Sequence, residues 1–124
     1  MKAAEVDKQY EDMTRRVAMQ ASELLQRIEA NQSPLVIDTR SEFEFKRGHI
    51  KGAINVPVRK LLLHTAQLPP DKDREVVVTC EHGQRAAIAK ALLALYGYHN
   101  TEFLEGFLEG WKEAGLPLET RSST

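Results

Sequence analysis

The chemistry that this sequence can perform centres on Cys80, the only cysteine among its 124 residues. Gly83 and Arg85 follow closely, within the segment VVVTCEHGQRAAIAKALLALYG. The nucleophile in cysteine chemistry is the thiolate, not the thiol. Glycine permits positive φ, so the amides of a short loop after Cys80 can point inward toward an anion. Together with the permanent charge of Arg85, these groups favour a nucleophilic thiolate.

Strand and helix patterns alternate along the chain and place Cys80 at the end of a strand. Short apolar or β-branched runs typical of buried strands cover residues 35–37, 53–54, 75–79 and 102–104. Helical spacing predicts helices over residues 22–29, 42–47, 59–67, 86–96 and 107–114. This alternation predicts a parallel sheet with helices on both faces, in which ligands bind at the carboxyl ends of the strands.

Two helix starts carry further signals. Ser41 and Glu44 have the spacing of a capping box at the start of a short helix. The helix predicted over residues 86–96 begins just after the loop, so its unpaired N–H groups and the positive end of its dipole lie near Cys80. Both effects add to the stabilisation of a thiolate. The alternative is that Cys80 is an inert core residue followed by a solvated turn.

Composition and charge argue against several classes of function. The chain is 42% apolar and 28% charged with a formal net charge of -1, which favours neither nucleic acid nor an anionic membrane as a partner. No apolar run reaches the ~18 residues that a spanning helix needs, and the charged first residues do not resemble a secretory signal. We therefore expect a cytoplasmic protein. A single cysteine and scattered histidines, including His64 and His99, give no spacing typical of a metal site.

Three segments resemble the rhodanese family. The first is CEHGQR, residues 80–85, which is similar to the family's active-site loop of cysteine, two residues, glycine, one residue and arginine. The second is DTRSEFEFKRGHIKGAINVP, residues 38–57, which resembles the signature that ends in Gly-His-Ile-x-Gly-Ala-x-Asn-x-Pro. The third is LEGFLEGWKEAGLPLE, residues 104–119, which resembles the C-terminal glycine-and-tryptophan segment. It departs from the pattern at Phe107, where a second glycine is expected.

The resemblance implies a fold and a domain organisation. It predicts a single rhodanese-like α/β domain over residues 17–119, with a central parallel five-stranded sheet and helices on both faces. Residues 1–16 would form an N-terminal extension, and residues 120–124 a polar tail.

The resemblance also implies a sulfurtransferase that carries sulfur as a persulfide on Cys80. The remaining loop residues would form a cradle for that sulfur: Glu81, His82, Gly83, Gln84 and Arg85. Arg85 would help to bind an anionic donor such as thiosulfate. The implied mechanism is double displacement, in which Cys80 takes sulfur from thiosulfate or a persulfide and gives it to cyanide or a thiol, a protein thiol included. No metal or organic cofactor is required.

Charged and histidine residues near the predicted site have structural interpretations. Asp38 and Arg40 follow a strand at the same sheet edge, and we expect them to form an ion pair because an unpaired buried charge is costly. His49 is expected to be a structural hydrogen-bonding residue. His82, when protonated, would add positive charge beside the sulfur, or else it is a solvent-facing residue without a role. Glu81 would oppose a thiolate if it pointed inward, so we expect it to face solvent.

Three other functions remain open. A cysteine-dependent phosphatase or arsenate reductase is one, although rhodanese-fold phosphatases place five residues between cysteine and arginine, and this chain has the four residues 81–84. A non-catalytic interaction module is another, although such modules often lack the cysteine. A redox sensor is the third, and its resolving thiol would have to come from another protein.

Overall fold

Five strands and five helices alternate along residues 18–120, the part of the chain that the computed structural model describes. The strands are β1 (Ala18–Met19), β2 (Leu35–Asp38), β3 (Ile54–Asn55), β4 (Val76–Thr79) and β5 (Thr101–Leu104). The helices are α1 (Ala21–Glu29), α2 (Glu42–Arg47), α3 (Val58–Leu62), α4 (Gln84–Leu95) and α5 (Phe107–Glu113). The strands form one sheet in the order β1-β5-β4-β2-β3 with every pair parallel, which confirms the predicted fold class.

Strands β2 and β4, which are neighbours inside the sheet, are buried on both faces. Side chains of neighbouring strand residues point to opposite faces, so each strand contributes to two core clusters. Val36 and Val77 belong to the cluster covered by α1, α2 and α5. Ile37 and Val78 belong to the cluster covered by α3 and α4, and Cys80 lies in this second cluster. Continuous β-branched runs therefore form these strands because both of their faces pack against helices.

Two elements differ from the sequence prediction. The apolar runs did not predict strand β1, which pairs Met19 with Leu104 of β5, because neither of its two residues is β-branched. The helix predicted over residues 59–67 ends at Leu62 because the chain turns at His64, which has a φ of 56°. The predicted extension, residues 1–16, and all but the first residue of the predicted tail lie outside the described residues.

The register between β2 and β4 brings the candidate site together. Asp38 lies opposite Thr79, the last residue of β4. The next residue of each chain segment stays close, since the amide and the hydroxyl of Thr39 donate to the Thr79 carbonyl at 2.9 and 3.0 Å. Arg40 and Cys80 consequently leave the sheet at the same carboxyl edge.

Candidate active site

The turn from β4 into α4 wraps around the sulfur atom of Cys80. Gly83 has a φ of 114°, in the left-handed region, and is the N-cap of α4. Its amide donates to Sγ at 2.9 Å, and the amide of Ala86 donates to Sγ at 3.3 Å. The Ala86 amide lies in the first turn of α4, where N–H groups have no partner within the helix. Two backbone donors thus point at the sulfur, and such donors stabilise a negative charge more than a neutral thiol.

The same sulfur is enclosed by the protein. Cys80 is 1% exposed and packs within the cluster under α3 and α4. Its side chain is therefore buried, while the nearest amides are turned toward it.

The first turn of α5 holds the loop from the outside. The amides of Leu108 and Glu109 donate to the carbonyl oxygens of Cys80 and Glu81, each at 3.1 Å. These bonds hold two loop carbonyls against α5. This role of α5 was not predicted from the sequence. The signal for it is Gly106, whose φ of 76° directs the chain into the helix.

Phe107, the residue that departs from the family pattern, packs its ring against the loop glycine. A Cβ placed on Gly83 would lie 2.6 Å from Cε2 of the Phe107 ring. Phe107 itself has a φ of 56°, and its ring meets that of Phe103 edge-on at a centroid distance of 5.7 Å. The loop can approach the ring this closely because residue 83 has no side chain.

Arg85 is paired with a carboxylate from α2. Its Nη1 and Nη2 donate to Oε1 and Oε2 of Glu44 at 2.6 and 3.1 Å. Ser41 also donates to Glu44 Oε1, at 3.0 Å through its hydroxyl, and the predicted capping box is present. The hydrogen bonds from Arg85 are the largest cause that lowers the pKa of Glu44 to about 2, and they raise the pKa of Arg85 in turn. Glu44 was not predicted from the sequence as the partner of the loop arginine.

A second charged network joins the ends of β2 and β4 to α5. Arg40 donates to both carboxylate oxygens of Asp38, at 2.8 to 3.2 Å, and to the Gly48 carbonyl at 2.6 Å. Its other Nη lies 3.5 Å from Oε1 of Glu81. Glu81 also accepts from Lys112 at 2.9 and 3.1 Å. The half-buried side chain of Glu81 is thus directed toward these two cations.

The side chains of the remaining predicted site residues are buried against other groups or exposed to solvent. His49 is buried, donates from Nδ1 to the Phe45 carbonyl at 2.7 Å and stacks on the Phe45 ring. The side chain of His82 is 56% exposed, with Nδ1 3.1 Å from a carboxylate oxygen of Glu109. Gln84 is exposed at the first position of α4. Of the predicted loop residues, Gly83 is thus the one that donates to Sγ, through its backbone amide.

A cavity of about 300 Å³ lies beside the loop, lined in part by Arg47, Glu81 and Lys112. Within residues 18–120, no three or more histidine, cysteine, aspartate or glutamate side chains are grouped to hold a metal ion. The helices of this described region are all too short or too polar to cross a membrane.

The chain belongs to the family of rhodanese-like domains, whose family model matches residues 20–114. A protein named sulfurtransferase from Allochromatium vinosum is 33% identical over 95 residues, which cover 77% of this chain and 87% of that protein. Thiosulfate sulfurtransferase GlpE from Actinobacillus succinogenes is 33% identical over 89 residues, covering 72% of this chain and 78% of the relative.

The solved structures agree with this assignment. The crystal structure of a rhodanese-related protein from Thermoplasma volcanium superimposes with a TM-score of 0.68 at 30% identity, and the match covers 84% of this chain and 98% of that one. Some other relatives are longer proteins, of which this chain spans 44 to 62% of the length. At the level of the family, these comparisons support a rhodanese-type sulfurtransferase.

Proposed function

We propose that the chain is a sulfurtransferase that carries sulfane sulfur as a persulfide on Cys80. The main support for the proposal is the pair of backbone amides, from Gly83 and Ala86, that donate to Sγ at 2.9 and 3.3 Å. A sulfur atom with two such donors is suited to hold negative charge, as both a thiolate and a persulfide anion require. The similarity to proteins named sulfurtransferase supports the same class of reaction.

The proposed reaction proceeds by two displacements at sulfur. The Cys80 thiolate attacks the outer sulfur of the donor and forms a new S–S bond. The donor's own S–S bond breaks, and its electron pair leaves on sulfite when the donor is thiosulfate, or on a thiolate when the donor is a persulfide. Cyanide or a thiolate then attacks the outer sulfur, and the electron pair of the Cys80–sulfur bond returns to Sγ. Electrons balance within each step, so the reaction as written uses no metal and no organic cofactor.

The acceptor and the location are parts of the same proposal. A small thiol or the thiol of a partner protein would take the sulfur in the cell, and cyanide would replace it in an assay. A reactive cysteine that must stay reduced between cycles fits the cytoplasm, where thiols are kept reduced.

A non-catalytic interaction module is the second candidate, and the burial of Cys80 favours it. The residue is 1% exposed, so almost none of its surface is open to a sulfur donor in this conformation. A sulfurtransferase requires the loop to open, whereas an interaction module does not. Alkylation of the folded protein by iodoacetamide separates the two, because a module that stays closed would react far more slowly than a free thiol.

The mass of the protein after exposure to a donor tests the proposal. We expect purified protein incubated with excess thiosulfate, then freed of it, to gain the mass of one sulfur atom. Subsequent addition of cyanide should restore the original mass. The matched control is Cys80→Ser, which preserves the shape of the residue and should gain nothing. Equal labelling of this variant would remove Cys80 from the mechanism.

A further inference from the structure

We propose that Glu44 is a specificity-determining residue that disfavours the dianion thiosulfate relative to sulfur donors that carry a single negative charge. The inference rests on the proposed function, because it concerns the donor that reaches Cys80. The loop arginine, Arg85, is already paired with the carboxylate of Glu44. Arg85 gives Nη1 and Nη2 to the two carboxylate oxygens of Glu44, at 2.6 and 3.1 Å.

The Glu44 carboxylate is held in this position by its own helix. Ser41 donates to Oε1 of Glu44 through its hydroxyl at 3.0 Å and through its amide at 3.3 Å. The pKa of Glu44 is about 2, so its negative charge is present throughout the physiological range. A donor that approaches Arg85 therefore meets an ion pair and not a free cation.

The other charges around the loop leave no surplus of positive charge for a dianion. Among residues 18–120, these charges belong to side chains that line the neighbouring cavity, pair with a loop residue or pair with Arg40. The cations are Arg40, Arg47, Arg85 and Lys112. The carboxylates are Asp38, Glu44, Glu81 and Glu109. Cations and carboxylates are equal in number, and His82 adds charge only when it is protonated.

The charge of the donor determines how strongly these charged side chains attract or repel it. Coulomb energy is proportional to the donor's own charge, so Glu44 repels a dianion twice as strongly as a monoanion in the same place. The side chains of Glu44 and Arg85 are 33% and 35% exposed, so water and salt weaken the effect without removing it. Discrimination of this kind is measured as the ratio of kcat/KM for two donors that have similar shapes but different charges.

Methanethiosulfonate provides the monoanionic donor for such a comparison. It has the sulfonyl sulfur and terminal sulfur of thiosulfate, with a methyl group in place of one charged oxygen. The Cys80 thiolate attacks the terminal sulfur of either donor, and the S–S bond breaks toward the oxidised sulfur. Thiosulfate then releases sulfite, methanethiosulfonate releases methanesulfinate, and both leave the same persulfide on Cys80.

Steady-state kinetics with both donors and cyanide as acceptor test the inference. In Glu44→Gln, the amide still supports a capping box but the charge is gone. We expect kcat/KM to rise ~3-fold for methanethiosulfonate and ~10-fold for thiosulfate. The repulsion that is removed is twice as large for the dianion, and doubling a free energy squares the corresponding change in kcat/KM. Most of the change should be in KM. Glu44→Asp retains the charge and should keep the donor ratio of the unmodified protein.

Glu42→Gln is the matched control, since Glu42 lies on the same helix but pairs with Lys60 at 3.3 Å. It should leave the donor ratio unchanged. An equal factor for both donors in Glu44→Gln, or the same ratio change in Glu42→Gln, would overturn the inference. Failure of the proposed function has a different signature, because the unmodified protein would then gain no sulfur on Cys80 from either donor.

Discussion

Gly83 is the residue at which the geometry of the loop is most sensitive to a single methyl group. Its φ of 114° lies in a region that residues with a Cβ rarely adopt. The added Cβ of Gly83→Ala would also lie 2.6 and 2.8 Å from Cε2 and Cζ of Phe107. We therefore expect this substitution to destabilise the protein through two separable effects.

The two effects can be given magnitudes. Placing a Cβ in the left-handed region costs ~1–2 kcal/mol. Forcing a methyl group into a tightly packed contact costs a further ~1–3 kcal/mol. The Phe107 ring has little freedom to retreat, because it packs on Phe103 and the next amide, that of Leu108, is bonded to the Cys80 carbonyl. Gly83→Ala should thus lower the free energy of unfolding by ~2–5 kcal/mol.

Gly52→Ala is the matched control for the backbone effect. Gly52 has a φ of 81°, and nothing lies within 4 Å of a Cβ placed on it. Urea unfolding of the two variants should show a loss of ~1–2 kcal/mol for Gly52→Ala and a larger loss for Gly83→Ala. The difference between them measures the contact with Phe107.

A double-mutant cycle with Phe107→Ala then assigns the contact directly. In that background the ring is gone, so Gly83→Ala should cost about as much as Gly52→Ala. The reasoning is refuted if the two glycine variants lose equal stability in the original protein, or if removal of the ring leaves the cost of Gly83→Ala unchanged.

Three further predictions concern the charged residues around the loop. Arg40→Met leaves the buried carboxylate of Asp38 without its cationic partner, so we expect urea unfolding to show a loss of ~3–5 kcal/mol, and a loss below ~1 kcal/mol would contradict this expectation. The pKa of Glu44 is lowered from 4.5 to about 2 in the folded state, so its contribution to stability is present above pH 4.5 and lost as the pH falls toward 2. As the pH falls across this range, the free energy of unfolding should decrease less steeply in Glu44→Gln than in the unmodified protein. Equal slopes for the two proteins would contradict this expectation. His82→Ala removes an exposed contact with Glu109, so thermal unfolding should show a change in the free energy of unfolding of at most ~0.5 kcal/mol. A larger loss would contradict this expectation.

The fold was predictable because its signals are local. Runs of β-branched residues mark β2 and β4, and the capping box of Ser41 and Glu44 marks the start of α2. These patterns depend on neighbours in the sequence, so they can be recognised without knowledge of the tertiary structure. The exceptions have local causes as well: β1 contains no β-branched residue, and α3 ends at Leu62, just before the left-handed residue His64.

The contacts of the site were less predictable because they join distant parts of the chain. The spacing of Cys80 and Gly83 indicated a loop of inward amides, and local sequence suffices for that expectation. The carboxylate that Arg85 contacts is 41 residues away on α2, and no local pattern assigns it. The same holds for the amides of Leu108 and Glu109, whose bonds to the loop depend on where α5 packs.

A crystal structure of the protein after exposure to a sulfur donor would show directly whether Cys80 carries the sulfur. We expect a second sulfur atom bonded to Sγ of Cys80, within hydrogen-bonding distance of backbone amides of the loop. An unmodified Cys80, or an added sulfur that faces away from the loop amides, would contradict this prediction.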